Sequence, residues 1–286
     1  MVSPSSFREN DVTQNPGPLV DTEWLATHIE QPDVRVIDVQ LDPEAYDRGH
    51  IPGALRWFAL ATIMDSDFRH NLDPAGFAEL AGQAGIAEDT LVVCTSEHPG
   101  LGPWAYWYLR TMGHEQVCVL DGGPPAWAAD GHELSTEEAT ALTVERVGVP
   151  VREDWRATLA DVQAAVGPDG PVLVDVRTAE EFTGEIFLLA PPGDDERGGH
   201  IPGAAHVYFE EAHNEDLTFR PLEELTALYD RAGVDGSGPV ITYCAVGMRS
   251  AHTWFVLSEL LGYADIASYD RSWNEWGRLP DTPVES

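Results

Sequence analysis

Short apolar, β-branched runs recur along the chain, at 34–39, 91–94 and 117–120 and again at 172–176, 240–243 and 266–269. Their composition is that of parallel strands buried on both faces. Between them lie stretches with helical spacing, such as 222–232 and 250–261, the latter stopped by Gly262. Strands alternating with helices predict an α/β fold with mainly parallel sheets flanked by helices.

The pattern also repeats. VIDV at 36–39 leads to RGHIPGA at 48–54, and LVDV at 173–176 leads to GGHIPGA at 198–204. Gly113 precedes Asp121 by 8 residues and Trp127 by 14, and Gly262 precedes Asp270 by 8 and Trp276 by 14. The chain therefore reads as two copies of one domain. We expect an N-terminal tail over 1–18, a first domain over 19–132, a linker over 133–152 and a second domain over 153–286. Asp38 and His50 are 12 apart, whereas Asp175 and His200 are 25 apart. About 13 extra residues, rich in Pro, Gly and Asp around 183–196, suit a surface loop.

Composition narrows the chemistry. The 286 residues include 49 acidic and 16 basic side chains, the latter all arginine, for a net charge of −33. Such a surface repels phosphate backbones, so no nucleic-acid partner is expected, and an anionic substrate needs a local positive site. No run of about 18 apolar residues exists for a membrane span. The polar N-terminus has no apolar core of a secretory signal, so a cytoplasmic location is expected. Cys94, Cys118 and Cys244 lack CxxC spacing, which argues against a disulfide scaffold or a cysteine zinc site. No metal is expected.

The difference between the copies locates the candidate chemistry. Sliding Gly113 onto Gly262 without gaps sets Thr95 opposite Cys244, at the carboxyl end of a strand, where open parallel sheets bind ligands. Cys244, Ala245, Val246, Gly247, Met248 and Arg249 form a loop ahead of Ser250. With Gly247 allowing tight backbone geometry, such a loop aims N–H groups inward as an anion nest, and the next helix adds its positive end. Both favour a thiolate at Cys244. Arg249 supplies a planar fork for a substrate oxyanion, and Ser250 either donates to the sulfur or caps the helix. Asp175, on the neighbouring strand, is a supporting residue that bonds nearby loop backbone and lies near Cys244, and Arg177 reads as a structural ion-pair residue rather than a substrate ligand. His50 and His200 occur in both copies and read as turn residues docked on the core. His252 stays open between the site and solvent.

RGHIPGA, GGHIPGA, TYCAVGMRS at 242–250, VLDGG at 119–123 and YDRSWNEW at 269–276 together resemble the tandem-domain rhodaneses, the thiosulfate sulfurtransferase family. The resemblance spans about residues 19–285. DVRTAEEFTGE at 175–185 and SAHTWFVLSELLG at 250–262 resemble its actinobacterial-type branch. It implies a silent first copy and a catalytic Cys244 that cycles between thiolate and persulfide. Thiosulfate or a related small anionic donor supplies sulfur, a thiol, cyanide or protein thiol accepts it, and no cofactor is needed. Ala245, Val246, Gly247, Met248, Arg249 and Ser250 then form the substrate loop.

Two departures stand out. Thiosulfate-using relatives usually carry a second charged residue in the loop, often directly after the cysteine, where this chain has Ala245; Met248 replaces a position that is often polar. Mercaptopyruvate sulfurtransferases usually carry a CG-[ST]-GV-[ST] loop, and an arginine where this chain has Glu181. A phosphatase or arsenate reductase usually needs Cys-x5-Arg, whereas the spacing here is Cys-x4-Arg. A non-catalytic sulfur-relay or binding module, fed with persulfide by a partner, is the remaining alternative.

Overall fold

The computed structural model describes residues 16–168 and 170–286. Most of the expected tail, residues 1–15, lies outside the described residues. The first sheet contains β1 (Leu19–Val20), β2 (Val34–Gln40), β3 (Leu55–Phe58), β4 (Leu91–Thr95) and β5 (Val117–Leu120), in the order β1-β5-β4-β2-β3. The second contains β6 (Val172–Asp175), β7 (Ala205–His206), β8 (Val240–Tyr243) and β9 (Ile266–Ser268), in the order β7-β6-β8-β9. Every pairing is parallel, as the apolar runs predict. The edge strands β1, β3 and β7 escape the sequence pattern because they are two to four residues long and take their form from pairing. Residues 133–152 carry no helix and no strand beyond an isolated bridge from Ser135 to His50.

The register corrects the gapless superposition of the two copies by one residue. Asp38 pairs with Thr95, but Asp175 pairs with Tyr243. On the other side Val92 pairs with Val117, but Val240 pairs with Ile266. Ser96, not Thr95, therefore occupies the place of Cys244. Gly102 then matches Ser250: a Cβ at Gly102 would lie 3.3 Å from Val119, and Ser250 lies 2.9 Å from Ser268, the residue equivalent to Val119. The two loops thus have equal length. The extra residue of the second copy is absorbed further on, where the helix Met248–Phe255 runs into a π turn over Val256–Leu260. Its counterpart Leu101–Thr111 is plain α-helix. A π turn is how a helix takes in one added residue without losing its direction.

The two copies share one core. The helices Leu101–Thr111 and Met248–Phe255 pack together across the domain boundary, with Tyr106 edge-on to Phe255 at 4.9 Å. The aromatic cluster Trp104, Tyr106, Trp107 and Tyr108 is fully buried here. Two equivalent straps cross this seam in opposite directions. The strap closed by the Met64–His70 bridge leans on the second domain, and the one closed by His213–Phe219 leans on the first, where Phe219 donates its N–H to Asp121 at 2.8 Å. His50 stacks on Tyr46 and His200 on Phe182, with Nδ1 of each on a backbone carbonyl, so both histidines dock their turns.

The copies differ in how they hold their paired buried acids. Asp175 is matched by Arg177, but the equivalent Asp38 meets only the Gln40 amide at 2.7 Å, and its second oxygen has no partner among the described residues. Burial pushes the Asp38 carboxyl up to about 7, against the Gln40 hydrogen bond and with help from Glu97. Its folded-state value lies above the unfolded one, so the stabilisation is full below about pH 4 and is lost as pH rises through about 7. Asp38→Asn keeps the Gln40 contact and should raise Tm at pH 8 by on the order of 5 °C, with little change at pH 4.5. A Tm difference of equal size at both pH values would contradict this account.

Candidate active site

The loop after β8 is shaped by what its carbonyls are given. The short helix Ser272–Trp276 donates Trp273 N–H to Cys244 O and Asn274 N–H to Ala245 O, both at 2.9 Å. With those carbonyls drawn outward, the Gly247 N–H faces inward and donates to Cys244 Sγ at 3.1 Å. Gly247 has φ +98°, and a Cβ there would lie 2.4 Å from Asp270 O and 2.7 Å from the His70 ring, so glycine is required. The helix Met248–Phe255 begins at this point, two residues earlier than expected, and its positive end faces the buried sulfur.

Ser250 does neither thing its position suggested for the sulfur. Its hydroxyl lies on Gly247 O at 3.0 Å and on Ser268 Oγ at 2.9 Å, tying the helix start to β9. The hydroxyl nearest the sulfur belongs to Ser272, 3.8 Å from Sγ. Ser272 Oγ accepts the Cys244 N–H at 3.0 Å and donates to Tyr269 O at 2.8 Å. Ser272 holds φ +53° where the first copy has Gly123 at φ +57°. A non-glycine side chain there is strained, and the hydrogen bonds of its hydroxyl offset the strain. The repeat alignment carried the signal: a serine replaces a turn glycine only in the copy with the cysteine.

Arg249 is not an open fork. Its Nη1 and Nη2 donate to the two carboxylate oxygens of Glu181 at 2.7 and 2.8 Å. Glu181 also caps its own helix, accepting the Thr178 N–H at 3.0 Å. Burial alone would raise the Glu181 carboxyl, but Arg249 holds it below the usual range. Burial likewise pulls Arg249 down, and Glu181, Cys244 and Asp175 together keep it above its ordinary value. Asp175 bonds the backbone of the loop beside it, as expected, accepting the Arg177 N–H at 3.0 Å. It is gripped by Arg177, whose Nε lies 2.9 Å from Oδ1 and whose Nη2 lies 2.5 Å from Oδ2, and its charge reaches Arg249 only through space. Ala245 and Val246 are buried and Met248 is half-buried, so the loop supplies no second charge.

The first copy closes the site from behind. His70 accepts Trp104 Nε1–H at 2.7 Å through Nε2, which leaves Nδ1 facing Asp270 at 3.6 Å, and Asp270 is also bound by Arg156. Burial drives His70 down to about 4, so it is neutral at ordinary pH. His252 faces neither solvent nor the sulfur. It is buried in the seam, 2.8 Å from His213 Nε2, and burial holds both rings low.

A family profile, the rhodanese-like domain, matches residues 21–130 and 158–279. The chain belongs to the rhodanese family. It is similar to a Mycobacterium tuberculosis protein named "Putative thiosulfate sulfurtransferase", at 40% identity over 270 residues, 93% of this chain and 97% of that one. A Haloferax volcanii protein of the same name is 39% identical over 276 residues, covering 93% and 96%. The sulfur carrier protein TtuD of Thermus thermophilus is 36% identical over 277 residues, covering 94% and 97%. Among solved structures, the anaerobic ergothioneine biosynthesis enzyme of Chlorobium limicola, bound to trimethyl histidine, matches with TM-score 0.84 and 25% identity, over 96% of this chain and 71% of that one. These names support a sulfurtransferase of the rhodanese family with two rhodanese-like domains.

In this rhodanese the first copy lacks each chemical group of the loop. By the observed register Ser96 stands for Cys244, Pro99 for Gly247 and Leu101 for Arg249. Ser272→Ala should destabilise the fold by about 1–2 kcal/mol, because the buried Cys244 N–H loses its acceptor while the strained φ remains. Ser272→Gly should lose less, since glycine relieves the strain. Thermal unfolding checks the order, and an alanine variant as stable as the glycine variant would sink the strain argument.

Proposed function

We propose that this protein transfers sulfane sulfur through a persulfide on Cys244. The observation that carries the reading is the buried sulfur at the carboxyl end of β8, met by the Gly247 N–H at 3.1 Å and the start of the helix Met248–Phe255. The Cys244 thiolate attacks the outer sulfur of thiosulfate or a related donor, the S–S bond breaks, and sulfite leaves with the bonding pair. A thiolate or cyanide then attacks the outer sulfur of the persulfide, which restores the Cys244 thiolate. The Gly247 N–H and the start of the helix stabilise negative charge at the sulfur, and the cysteine itself carries the group.

A solved neighbour supports the persulfide chemistry: a persulfide form of EanB, in a tetrahedral intermediate state with ergothioneine, has TM-score 0.83 and 26% identity to this chain. The similarity to TtuD favours a second reading, a carrier loaded by a partner protein. Residues 19–132 and 153–286 are proposed as the silent and sulfur-carrying domains, with Asp175 and the 245–250 loop as supporting parts of the site.

Intact-protein mass spectrometry after incubation with thiosulfate should show a gain of one sulfur, about 32 Da. Cys244→Ser should show none, and Ser96→Ala, the equivalent change in the silent copy, should gain as wild type does. A gain retained in the serine variant would overturn the assignment. Thiocyanate formation with cyanide separates an enzyme, which turns over, from a carrier, which loads once.

A further inference from the structure

The charge at this loop is cancelled before a substrate arrives. Arg249 is the one ionisable side chain between Ala245 and Ser250, and both of its terminal nitrogens are held by Glu181. Glu181 is 3% exposed and Arg249 keeps one-fifth of its side chain open, so the pair is largely shielded from water and salt. Asp175 is likewise matched by Arg177. The rest of the loop is Ala245, Val246, Gly247 and Met248. His98 and Tyr208 lie within electrostatic reach of Arg249, the former with its charged form disfavoured by burial, and Glu210 adds a negative charge near both. Among the described residues, a dianion must therefore approach a thiolate beside Glu181 with no unpaired cation in the loop to receive it, in a chain of net charge −33.

We propose that the Cys244 site selects an organic sulfane-sulfur donor with at most one negative charge, and that Glu181 sets this selectivity by occupying Arg249. The inference rests on the sulfurtransferase reading. An arene thiosulfonate meets the requirement. The Cys244 thiolate attacks its outer sulfur, the sulfur–sulfur bond breaks, the arenesulfinate leaves with the bonding pair, and the persulfide anion remains on Cys244.

The test compares thiosulfate with benzenethiosulfonate, using cyanide as acceptor and thiocyanate as readout. The wild type should show a kcat/KM at least tenfold higher for benzenethiosulfonate. Glu181→Gln keeps an oxygen for the Thr178 N–H, so the helix cap survives, and it frees the Arg249 charge. It should raise kcat/KM for thiosulfate about tenfold, mainly through KM, and change the benzenethiosulfonate value less than threefold. Ala245→Arg adds a cation without touching the cap and should shift the ratio the same way. A wild type that prefers thiosulfate, or a donor ratio that neither substitution moves, overturns the inference while leaving sulfur transfer intact. No thiocyanate and no gain in mass with either donor overturns the sulfurtransferase reading, and this inference with it.

Discussion

The packing of Leu101–Thr111 against Met248–Phe255 is the contact to which the rest of the molecule is referred. Each helix follows the central strand of its own sheet, so joining them places the carboxyl ends of β4 and β8 at one seam. The two straps then cross it, and the His70 strap packs on the Gly247 backbone. A change of core volume at Tyr106 or Phe255 is thereby transmitted to the loop, because close-packed interiors pass on displacements rather than absorb them. The first copy supplies one wall of the candidate site.

Around β4 and β8 the two copies share most of their backbone. Strand order around β4 and β8, the two straps and the docked histidines are common to both. What differs is local: Cys244, Gly247 and Arg249 in place of Ser96, Pro99 and Leu101, a strained serine at 272 in place of Gly123, and a complete Asp175–Arg177 pair in place of Asp38 with Gln40. Charge compensation is fullest in the copy that carries Cys244. Buried acids there are neutralised by arginine, whereas Asp38 is left to a single amide, and burial pushes it toward the protonated form.

Several of these features were open to a reading of the chain alone. Short apolar runs specify buried strands wherever they pack, and a duplicated motif carries its fold with it, so the paired α/β domains and the singular position of Cys244 follow from spacing. Gly247 could be read as well, since a nest needs a residue that tolerates positive φ. Tertiary structure alone decided the rest. The one-residue register correction depends on hydrogen bonding to strands on both sides and on a π turn that takes up the added residue, and no local preference encodes either. That Arg249 faces Glu181 rather than an open site depends on two elements 68 residues apart meeting at one point. A side chain's identity fixes the charge it brings, whereas the partner that cancels that charge is chosen by packing.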